Sequence, residues 1–315
     1  MVVVGLDDIR AAAARIHGAV RRTPMIAAAP VHDTVGWPGF DLRLKLECLQ
    51  ITGSFKPRGA LNKLLTLDPA TVQRGLVTAS GGNHGLGVAY AGRRAGVPVT
   101  VYLPRSTPAA KAAKIEAWGA RVAWEGDVWD EANAAALGVA ERDRLTYLHP
   151  FADAAVIAGQ GTVGLEILDD APEVQTVVVA IGGGGLIAGV ALAIKSLKPG
   201  LRVIGVEPVG APTLRESVLA GRVIELPRID TAAGTLAPRR SAEINLALIR
   251  QYVDDIVLVS DEEMRDTARW IWREMSVGVE LSGAAALAAV LTGKIGTPPA
   301  PVCALVCGAG TDGVA

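Results

Sequence analysis

Lys56 lies in a stretch, Ile51–Ala60, whose residue types suit a reactive amine. Gly53 and Gly59 reduce the side-chain bulk around it, and Pro57 suits the first position of a helix. At a helix start the positive end of the dipole disfavours an ammonium and favours a neutral amine. A neutral lysine amine forms Schiff bases with carbonyl compounds, and in enzymes pyridoxal phosphate (PLP) is the common one. This stretch alone leaves a solvated surface lysine open as the alternative.

The four glycines Gly182–Gly185 form a second stretch with binding chemistry. They stand between a Val/Ile-rich strand pattern and a predicted helix, so backbone amides can approach an anion where no Cβ intrudes. The pattern predicts a phosphate cradle. A dinucleotide fingerprint is the rival interpretation, because Gly183–Ala188 fits G-x-G-x-x-A and Glu207 follows about 20 residues later. That fingerprint gives no role to Lys56.

Two further segments follow predicted strands and carry polar or thiol side chains. In Ser80–Gly85 the side chains of Ser80 and Asn83, with the amides at the helix start, could hold a carboxylate. Simple helix capping by either side chain is the structural alternative. Cys307 follows the last predicted strand and precedes Gly308–Gly310, whereas most free cysteines are buried in the core.

Strands, glycine-containing loops and helices alternate along the chain. That order is typical of an α/β protein with mostly parallel sheets flanked by helices. One strand–helix series ends near Leu148 and a second follows it. We therefore expect two domains, each with an open sheet, and ligands in the cleft at the carboxyl ends of the strands. Residues 210–251 show a less regular pattern.

Composition excludes several classes of protein. The chain has 315 residues, enough for about two domains, and 50% of them are apolar, which indicates a globular protein. A net charge of -1 predicts neither nucleic-acid nor membrane binding. The three cysteines form no metal-binding pattern and fit a reducing cytoplasm. The uncharged run Val174–Ile194 contains the four glycines, so a strand, a turn and a buried helix explain it better than a membrane span.

A series of segments occurs in the order found in one enzyme family: Gly53–Ala60, Ser80–His84, His149–Phe151, Ile157–Thr162, Gly182–Leu186, Val206–Pro208 and Glu280–Ala284. Over nearly its whole length, the chain resembles the threonine/serine dehydratases (ammonia-lyases). These are fold-type II PLP enzymes, similar to the tryptophan synthase β chain. The resemblance implies a large PLP-binding domain of residues 1–52 and 149–315, and a small domain of residues 53–148 that binds the substrate carboxylate.

The resemblance also implies roles for individual residues. Lys56 would form the Schiff base with PLP and act as the general base at Cα. Phe55 would pack against the cofactor, and Asn83 would bind its 3′-oxygen. The phosphate would be bound by the backbone amides of Gly182, Gly183, Gly184, Gly185 and Leu186.

The substrate and the pyridine ring would meet two other groups of residues. The substrate would lie on the loop formed by Ser80, Gly81, Gly82, Asn83 and His84. Cys307 matches the serine or cysteine that faces the pyridine nitrogen in this family. A thiol there cannot protonate the ring as an aspartate would, which suits β-elimination. The implied reaction converts L-threonine or L-serine to 2-oxobutanoate or pyruvate plus ammonia.

Several departures from the family pattern keep alternatives open. Serine racemases carry a second serine where Gly81 stands, so efficient racemisation is not expected. Glu207 and Ala211 match two positions of the family's cation site, but Thr213 replaces its aspartate, and no metal is assigned. Leu281 replaces a usual proline, and the final glycine loop is also altered. A dehydratase of another β-hydroxy amino acid, such as 3-hydroxyaspartate, is therefore the alternative.

Other interpretations lie further from the dehydratase reaction. They are a serine racemase, an NAD-dependent oxidoreductase, and a non-catalytic protein that binds PLP or an amino acid. The resemblance also implies a homodimer, with a small amino acid as the substrate.

Overall fold

The computed structural model describes residues 4–30, 32, 39–107 and 109–313, so the predicted domain ends at residues 1 and 315 lie outside the described residues. The strands are β1 Met25–Ala27, β2 Leu42–Leu46, β3 Leu76–Ala79, β4 Val99–Leu103, β5 Arg121–Trp124, β6 Thr146–Tyr147, β7 Thr176–Ala180, β8 Arg202–Pro208, β9 Asp255–Val259 and β10 Val302–Val306. The helices are α1 Leu6–Ile16, α2 Lys56–Leu65, α3 Pro69–Val72, α4 Asn83–Ala95, α5 Ala109–Ala117, α6 Trp129–Arg142, α7 Ala154–Asp170, α8 Gly185–Leu197, α9 Thr213–Ala220, α10 Glu243–Tyr252, α11 Asp261–Met275 and α12 Leu281–Leu291.

The larger sheet has six strands in the order β1-β2-β10-β7-β8-β9. All neighbours pair in parallel except β1 and β2, which are antiparallel. Every residue of β7 and β10 is buried. This explains their nearly continuous apolar sequences, because a strand covered on both faces has no polar alternation.

The smaller sheet has four parallel strands in the order β5-β4-β3-β6. Its central strand β3 is fully buried, whereas β4 alternates between buried and partly buried residues. Its strands come from residues 76–147, and those of the larger sheet come from residues 25–46 and 176–306. The predicted α/β class is confirmed, and the domain boundaries stay a prediction.

Close helix packing on the larger sheet depends on small residues. Helices α7 and α8 approach so closely that a Cβ at Gly189 would lie 2.3 Å from the Ile157 carbonyl oxygen. Helix α12 is rich in alanine, and all but its last residue are buried. In the described part of the chain, the helices all lack the length or the apolar character needed to cross a bilayer.

A buried ionic network fixes helix α2, which carries Lys56. The Arg58 guanidinium is bound by the carboxylates of Glu47 and Glu166, with N–O distances of 2.7 Å to each. The Lys45 ammonium lies 2.8 Å from the Glu166 carboxylate. Arg58 and Lys45 are at most 1% exposed, so these charges pair away from water. The network therefore ties α2 to β2 and α7 around the segment that presents Lys56.

The less regular section, residues 210–251, contains two helices, α9 and α10, joined by loops and a short 3-10 turn at Gly234–Leu236. The uncharged run at residues 174–194 forms β7, the glycine turn and α8, as the sequence predicts.

Candidate active site

One cavity collects residues from loops that follow strands of both sheets. Its lining comprises Phe55, Lys56, Asn83, Phe151, Ala180, Gly182, Gly183, Gly184, Gly185, Leu186, Thr235, Leu236, Glu280 and Cys307. Asn83 comes from the helix that follows β3, and the glycines come from the turn that follows β7. The structure thus brings together all the residues that the sequence proposes for cofactor binding.

Lys56 is the first residue of α2, and its side chain reaches the cavity. Its Nζ donates a hydrogen bond to the Pro150 carbonyl oxygen at 2.9 Å and lies 5.1 Å from the centroid of the Phe55 ring. Burial lowers the pKa of the Lys56 ammonium to about 8, although the charge of Glu280 raises it in part. Loss of hydration thus makes the neutral amine accessible near neutral pH.

The glycine turn presents backbone donors to the cavity. Among the described residues, the amides from Gly182 to Ile187 have no hydrogen-bond acceptor. Gly184 has φ +92°, a left-handed conformation that favours glycine. These amides stand at the N-terminus of α8, where the helix dipole also favours an anion.

Two side chains hold the carbonyl group of this turn. The Gly183 oxygen accepts hydrogen bonds from Ser241 Oγ at 2.8 Å and from Asn245 Nδ2 at 2.7 Å. In a trans peptide the next amide points in the opposite direction, so these two bonds also fix the direction of the Gly184 N–H. Asn245 is fully buried, and its position is therefore set by packing.

A polar cluster closes another wall of the cavity. The Glu280 Oε1 accepts hydrogen bonds from Asn83 Nδ2 at 2.7 Å and from Thr235 Oγ1 at 3.3 Å. Burial raises the pKa of the Glu280 carboxyl to about 7, against the opposing effect of the Asn83 donor. Thr235 Oγ1 is also hydrogen-bonded to Ser282 Oγ.

Cys307 lies just after β10 and is buried. Its Sγ donates to the Ser282 carbonyl oxygen at 3.4 Å. Burial raises the pKa of the Cys307 thiol, so the group stays neutral and brings no negative charge to the cavity.

The predicted substrate loop lies beside this cavity, and Asn83 is its only member among the lining residues. The Ser80 hydroxyl accepts a hydrogen bond from the Gly82 amide at 3.3 Å. A Cβ at Gly82 would lie 3.5 Å from Thr235 Cγ2, so the loop faces the wall that carries Thr235. Gly81 faces Thr107, whose side chain would lie 3.0 Å from a Cβ at position 81.

His84 points away from the cavity, unlike its neighbour Asn83. It is 3% exposed, and its Nε2 lies 3.0 Å from the Leu148 carbonyl oxygen. Burial and the nearby Lys56 charge lower the pKa of His84 to about 3. The cause is helical geometry: α4 begins at Asn83, and successive residues of a helix point about 100° apart.

Comparison with known proteins decides the family. Residues 16–308 match the family described as pyridoxal-phosphate dependent enzyme. The chain belongs to this family. An L-threonine ammonia-lyase from Thermotoga maritima is 41% identical over 289 residues, which are 92% of this chain and 71% of that protein. A serine racemase from Oryza sativa subsp. indica is 38% identical over 287 residues, 91% of this chain and 84% of that protein.

The fold agrees with this family. The processed form of threonine deaminase isoform 2 from Solanum lycopersicum superimposes with a TM-score of 0.91 and 34% identity. The alignment covers 98% of this chain and 89% of that one.

The cavity of this PLP-dependent enzyme fits its cofactor. The unpaired amides of the glycine turn match the acceptors of a phosphate group. A Cβ at Gly183 would lie 2.2 Å from the Phe151 ring, so a side chain there would clash with the cavity wall. The Lys56 amine lies in the same cavity, where it can react with the carbonyl group of PLP.

Glu207, a candidate both for a metal and for a dinucleotide, is used by its own chain. It is fully buried, and its two oxygens accept the amides of Leu214 and Arg215 at 2.8 Å, at the start of α9. Burial raises the pKa of Glu207 to about 8. A carboxylate enclosed in this way cannot bind a ribose hydroxyl, and the family match also excludes the NAD interpretation.

The other metal candidate, Ala211, is buried, and its amide donates to the Pro208 carbonyl oxygen at 3.0 Å. Within residues 4–30, 32, 39–107 and 109–313, no group of three or more His, Cys, Asp or Glu side chains is arranged to hold a metal ion.

Five cavity residues were not predicted as site residues: Ala180, Phe151, Thr235, Leu236 and Glu280. Phe151 and Glu280 lie in segments that carry the family resemblance, so their signal was present in the sequence. Thr235 and Leu236 lie in the section without a regular pattern, and only the folded chain brings them to the cavity.

Proposed function

We propose that this enzyme catalyses the PLP-dependent β-elimination of L-threonine or L-serine, releasing 2-oxobutanoate or pyruvate and ammonia. The observation that carries this proposal is the meeting of Lys56, Asn83 and the glycine turn in one cavity. The name of the 41% identical relative, an L-threonine ammonia-lyase, supports the substrate class. Dehydration of another β-hydroxy amino acid, such as 3-hydroxyaspartate, stays the alternative within the same chemistry.

Different residues of the cavity are proposed to bind different parts of PLP. The amides of Gly182–Leu186 would bind the phosphate, Asn83 would bind the 3′-oxygen, and Phe55 would pack against the cofactor. Bound PLP supplies a carbonyl carbon for Schiff-base formation and a ring that withdraws electrons from the substrate Cα. Cys307 would face the ring nitrogen as a neutral thiol and would add no charge that favours protonation of that nitrogen.

Lys56 moves the proton in this proposal. Its Nζ, whose pKa is about 8, is mostly neutral above pH 8 and partly neutral below it. It accepts the proton from the substrate Cα and can pass it to the β-hydroxyl, which leaves as water. The substrate carboxylate is held by Ser80 and the amides of Gly81 and Gly82. His84 supports this loop from behind through its contact with the Leu148 carbonyl oxygen.

Racemisation needs a second base on the other face of the substrate, and Gly81 offers none. A side chain at this position would also meet Thr107, with Cγ2 at 3.0 Å and Oγ1 at 3.1 Å from its Cβ. The likeness to serine racemases therefore extends to the fold and the cofactor, while elimination is the proposed reaction here.

The larger arrangement is also part of the proposal. Residues 53–148 form a small domain that carries the substrate loop, and residues 1–52 and 149–315 form the large domain. The enzyme works as a homodimer in the cytoplasm, where Cys48, Cys303 and Cys307, all buried and free, stay reduced. Light scattering of the purified holoenzyme measures the assembly, and a monomer would contradict this part.

The test is release of 2-oxo acid from L-threonine, L-serine, their D-forms and 3-hydroxyaspartate, with PLP present. We expect rapid release from L-threonine or L-serine. Release from 3-hydroxyaspartate alone would establish the alternative substrate class. No release from any compound, with PLP covalently bound, would overturn the proposed reaction.

Lys56→Ala should abolish both turnover and covalent PLP, which borohydride reduction followed by mass spectrometry detects. The matched control is Lys63→Ala on the same helix, which removes an ion pair with Asp153 at 2.7 Å. That variant should keep its covalent PLP and its turnover. Turnover by Lys56→Ala would contradict the role of this lysine.

A further inference from the structure

Thr235 lies between the glycine turn, the substrate loop and the wall that carries Glu280. The proposed chemistry gives it no role. It lies in the 3-10 turn Gly234–Leu236, where its side chain is exposed at the cavity mouth. A Cβ at Gly182 would lie 2.7 Å from the Thr235 carbonyl oxygen, so its backbone packs directly on the glycine turn.

The loop that carries Thr235 is fixed from behind. The Asp261 carboxylate accepts hydrogen bonds from Thr231 Oγ1 and from the Ala232 amide, each at 2.5 Å. The Leu236 amide closes the turn on the Ala233 carbonyl oxygen at 2.8 Å. The start of α11 therefore helps to fix the loop that carries Thr235, from outside the cavity.

The hydroxyl group of Thr235 determines where its methyl group points. Oγ1 lies 3.3 Å from Glu280 Oε1 and is hydrogen-bonded to Ser282 Oγ, so both polar contacts lie on the Glu280 side. Since a β-branched side chain has few χ1 rotamers, fixing Oγ1 also fixes Cγ2. Cγ2 then faces Gly82, at 3.5 Å from where a Cβ would stand.

We infer that Thr235 is a specificity-determining residue, whose methyl group limits the size of the substrate's β-substituent and so disfavours L-threonine relative to L-serine. This inference rests on the proposed function, because the loop that contains Gly82 is the proposed carboxylate site. An amino acid held there by its carboxylate has its remaining substituents next to Cγ2. The side chain of serine fits beside the Thr235 methyl group, whereas the additional methyl group of threonine must displace it.

Two variants separate the methyl group from the hydroxyl group. Thr235→Ser keeps the hydroxyl and removes the methyl, and we expect the ratio of kcat/KM for L-threonine to that for L-serine to rise by about tenfold or more. Thr235→Val keeps the volume and removes the hydroxyl, and that ratio should stay within about threefold of the wild type. Thr231→Ser, the same substitution in the same loop but outside the cavity, is the matched control and should not change the ratio.

A binding measurement covers variants that lose turnover. L-Alanine and L-2-aminobutyrate differ by the same methyl group as serine and threonine but carry no β-hydroxyl. Their dissociation constants are read from the change in the holoenzyme's absorption spectrum. Thr235→Ser should improve the binding of L-2-aminobutyrate relative to L-alanine by about tenfold.

The outcomes are distinguishable from failure of the proposed function. If the wild type eliminates neither L-serine nor L-threonine, the proposed function fails, while the two analogues still report the space beside Thr235. An unchanged ratio for Thr235→Ser in either measurement would overturn the inference. An equal shift in Thr235→Val would also overturn it, because the hydroxyl and not the methyl would then control size.

Discussion

The two glycine-containing turns of the cavity have the same local order, a strand, a glycine turn and a helix, but they are packed very differently. In the turn after β7, a Cβ at Gly182, Gly183 or Gly184 would lie within 2.7 Å of another atom. In the turn after β3, a Cβ at Gly82 would make only an ordinary contact at 3.5 Å. The first turn is closed at all three of these glycines, whereas the second has room at Gly82, although a Cβ at Gly81 would lie 3.0 Å from Thr107 Cγ2.

The difference corresponds to what each turn is proposed to bind. A phosphate group is always the same, so a rigid set of backbone amides fixed by Ser241 and Asn245 suits it. A substrate arrives and leaves in every cycle, and a loop with room beside it can adapt at each step. The rigid turn after β7 is thus proposed to bind the cofactor, and the less constrained turn after β3 is proposed to bind the substrate.

The largest expected effect comes from adding one methyl group to each turn. Gly183→Ala would place its Cβ 2.2 Å from the Phe151 ring, so the turn or the ring must shift in the wall of the cofactor cavity. We expect PLP to bind more weakly by about 1–3 kcal/mol, and titration of the cofactor-free protein measures this. Gly82→Ala should change PLP affinity by less than about twofold. Equal effects of the two substitutions would remove the contrast between the turns.

Cofactor loading should follow the neutral fraction of the Lys56 amine. Below a pKa of about 8 this fraction falls with decreasing pH, so the loading rate should fall about tenfold per pH unit and level off above pH 8. If the pKa of Lys56 were unshifted, the loading rate would keep rising with pH up to about pH 10.4. Stopped-flow absorbance after mixing with PLP measures the rate.

Glu280→Gln tests how the charge of Glu280 affects the pH dependence of cofactor loading. The Glu280 charge raises the pKa of Lys56, so its removal should move the plateau to lower pH. A plateau that moves to higher pH would contradict the charge assignment.

The hydrogen bonds from Ser241 and Asn245 to the glycine turn should affect only the binding of the phosphate group. Ser241→Ala removes one of the two donors to the Gly183 oxygen, at a cost of about 0.5–1.5 kcal/mol. We expect about 2–10-fold weaker binding of PLP and unchanged binding of pyridoxal, which has no phosphate. Ser217→Ala, which removes a buried hydroxyl bonded to the Thr213 carbonyl oxygen, is the matched control. Equal losses for PLP and pyridoxal would show a general structural effect.

The smallest effect is expected behind the adaptable turn. Trp129 Nε1 donates to the carbonyl oxygen of Ala79, the residue directly before Ser80, at 2.9 Å. Trp129→Phe should raise KM for the amino acid about 2–5-fold and leave PLP affinity unchanged. Trp124→Phe, which changes an indole of similar exposure at the end of β5, should do neither. Weaker PLP binding by Trp129→Phe would mean that the two turns are coupled.

Sequence reasoning was strongest where chemistry and secondary structure coincide. Lys56 at a helix start and four glycines between a strand and a helix are local patterns, and the α/β class follows from their repetition. The structure places both in one cavity. The reason for the low pKa of Lys56 was less accessible, since burial is its largest cause and burial is a property of the folded chain.

The placements that the sequence does not show have physical causes too. His84 stands next to Asn83 in the sequence, but both lie in the first turn of α4, and the rotation of about 100° per residue sends the His84 ring into the core. Thr235 carries no motif, and two contacts distant in sequence, with Glu280 and Ser282, bring it to the site. Such residues are found by tertiary packing, which a single sequence does not display.

The unpaired amides from Gly182 to Ile187 have a consequence for the life of the protein in a cell. A newly made chain that has not yet met PLP must leave these donors to water, so cofactor binding adds directly to its folding stability. The loaded and unloaded forms therefore differ in how often they open to proteases. Vitamin B6 supply would thus set the amount of this enzyme as well as its activity.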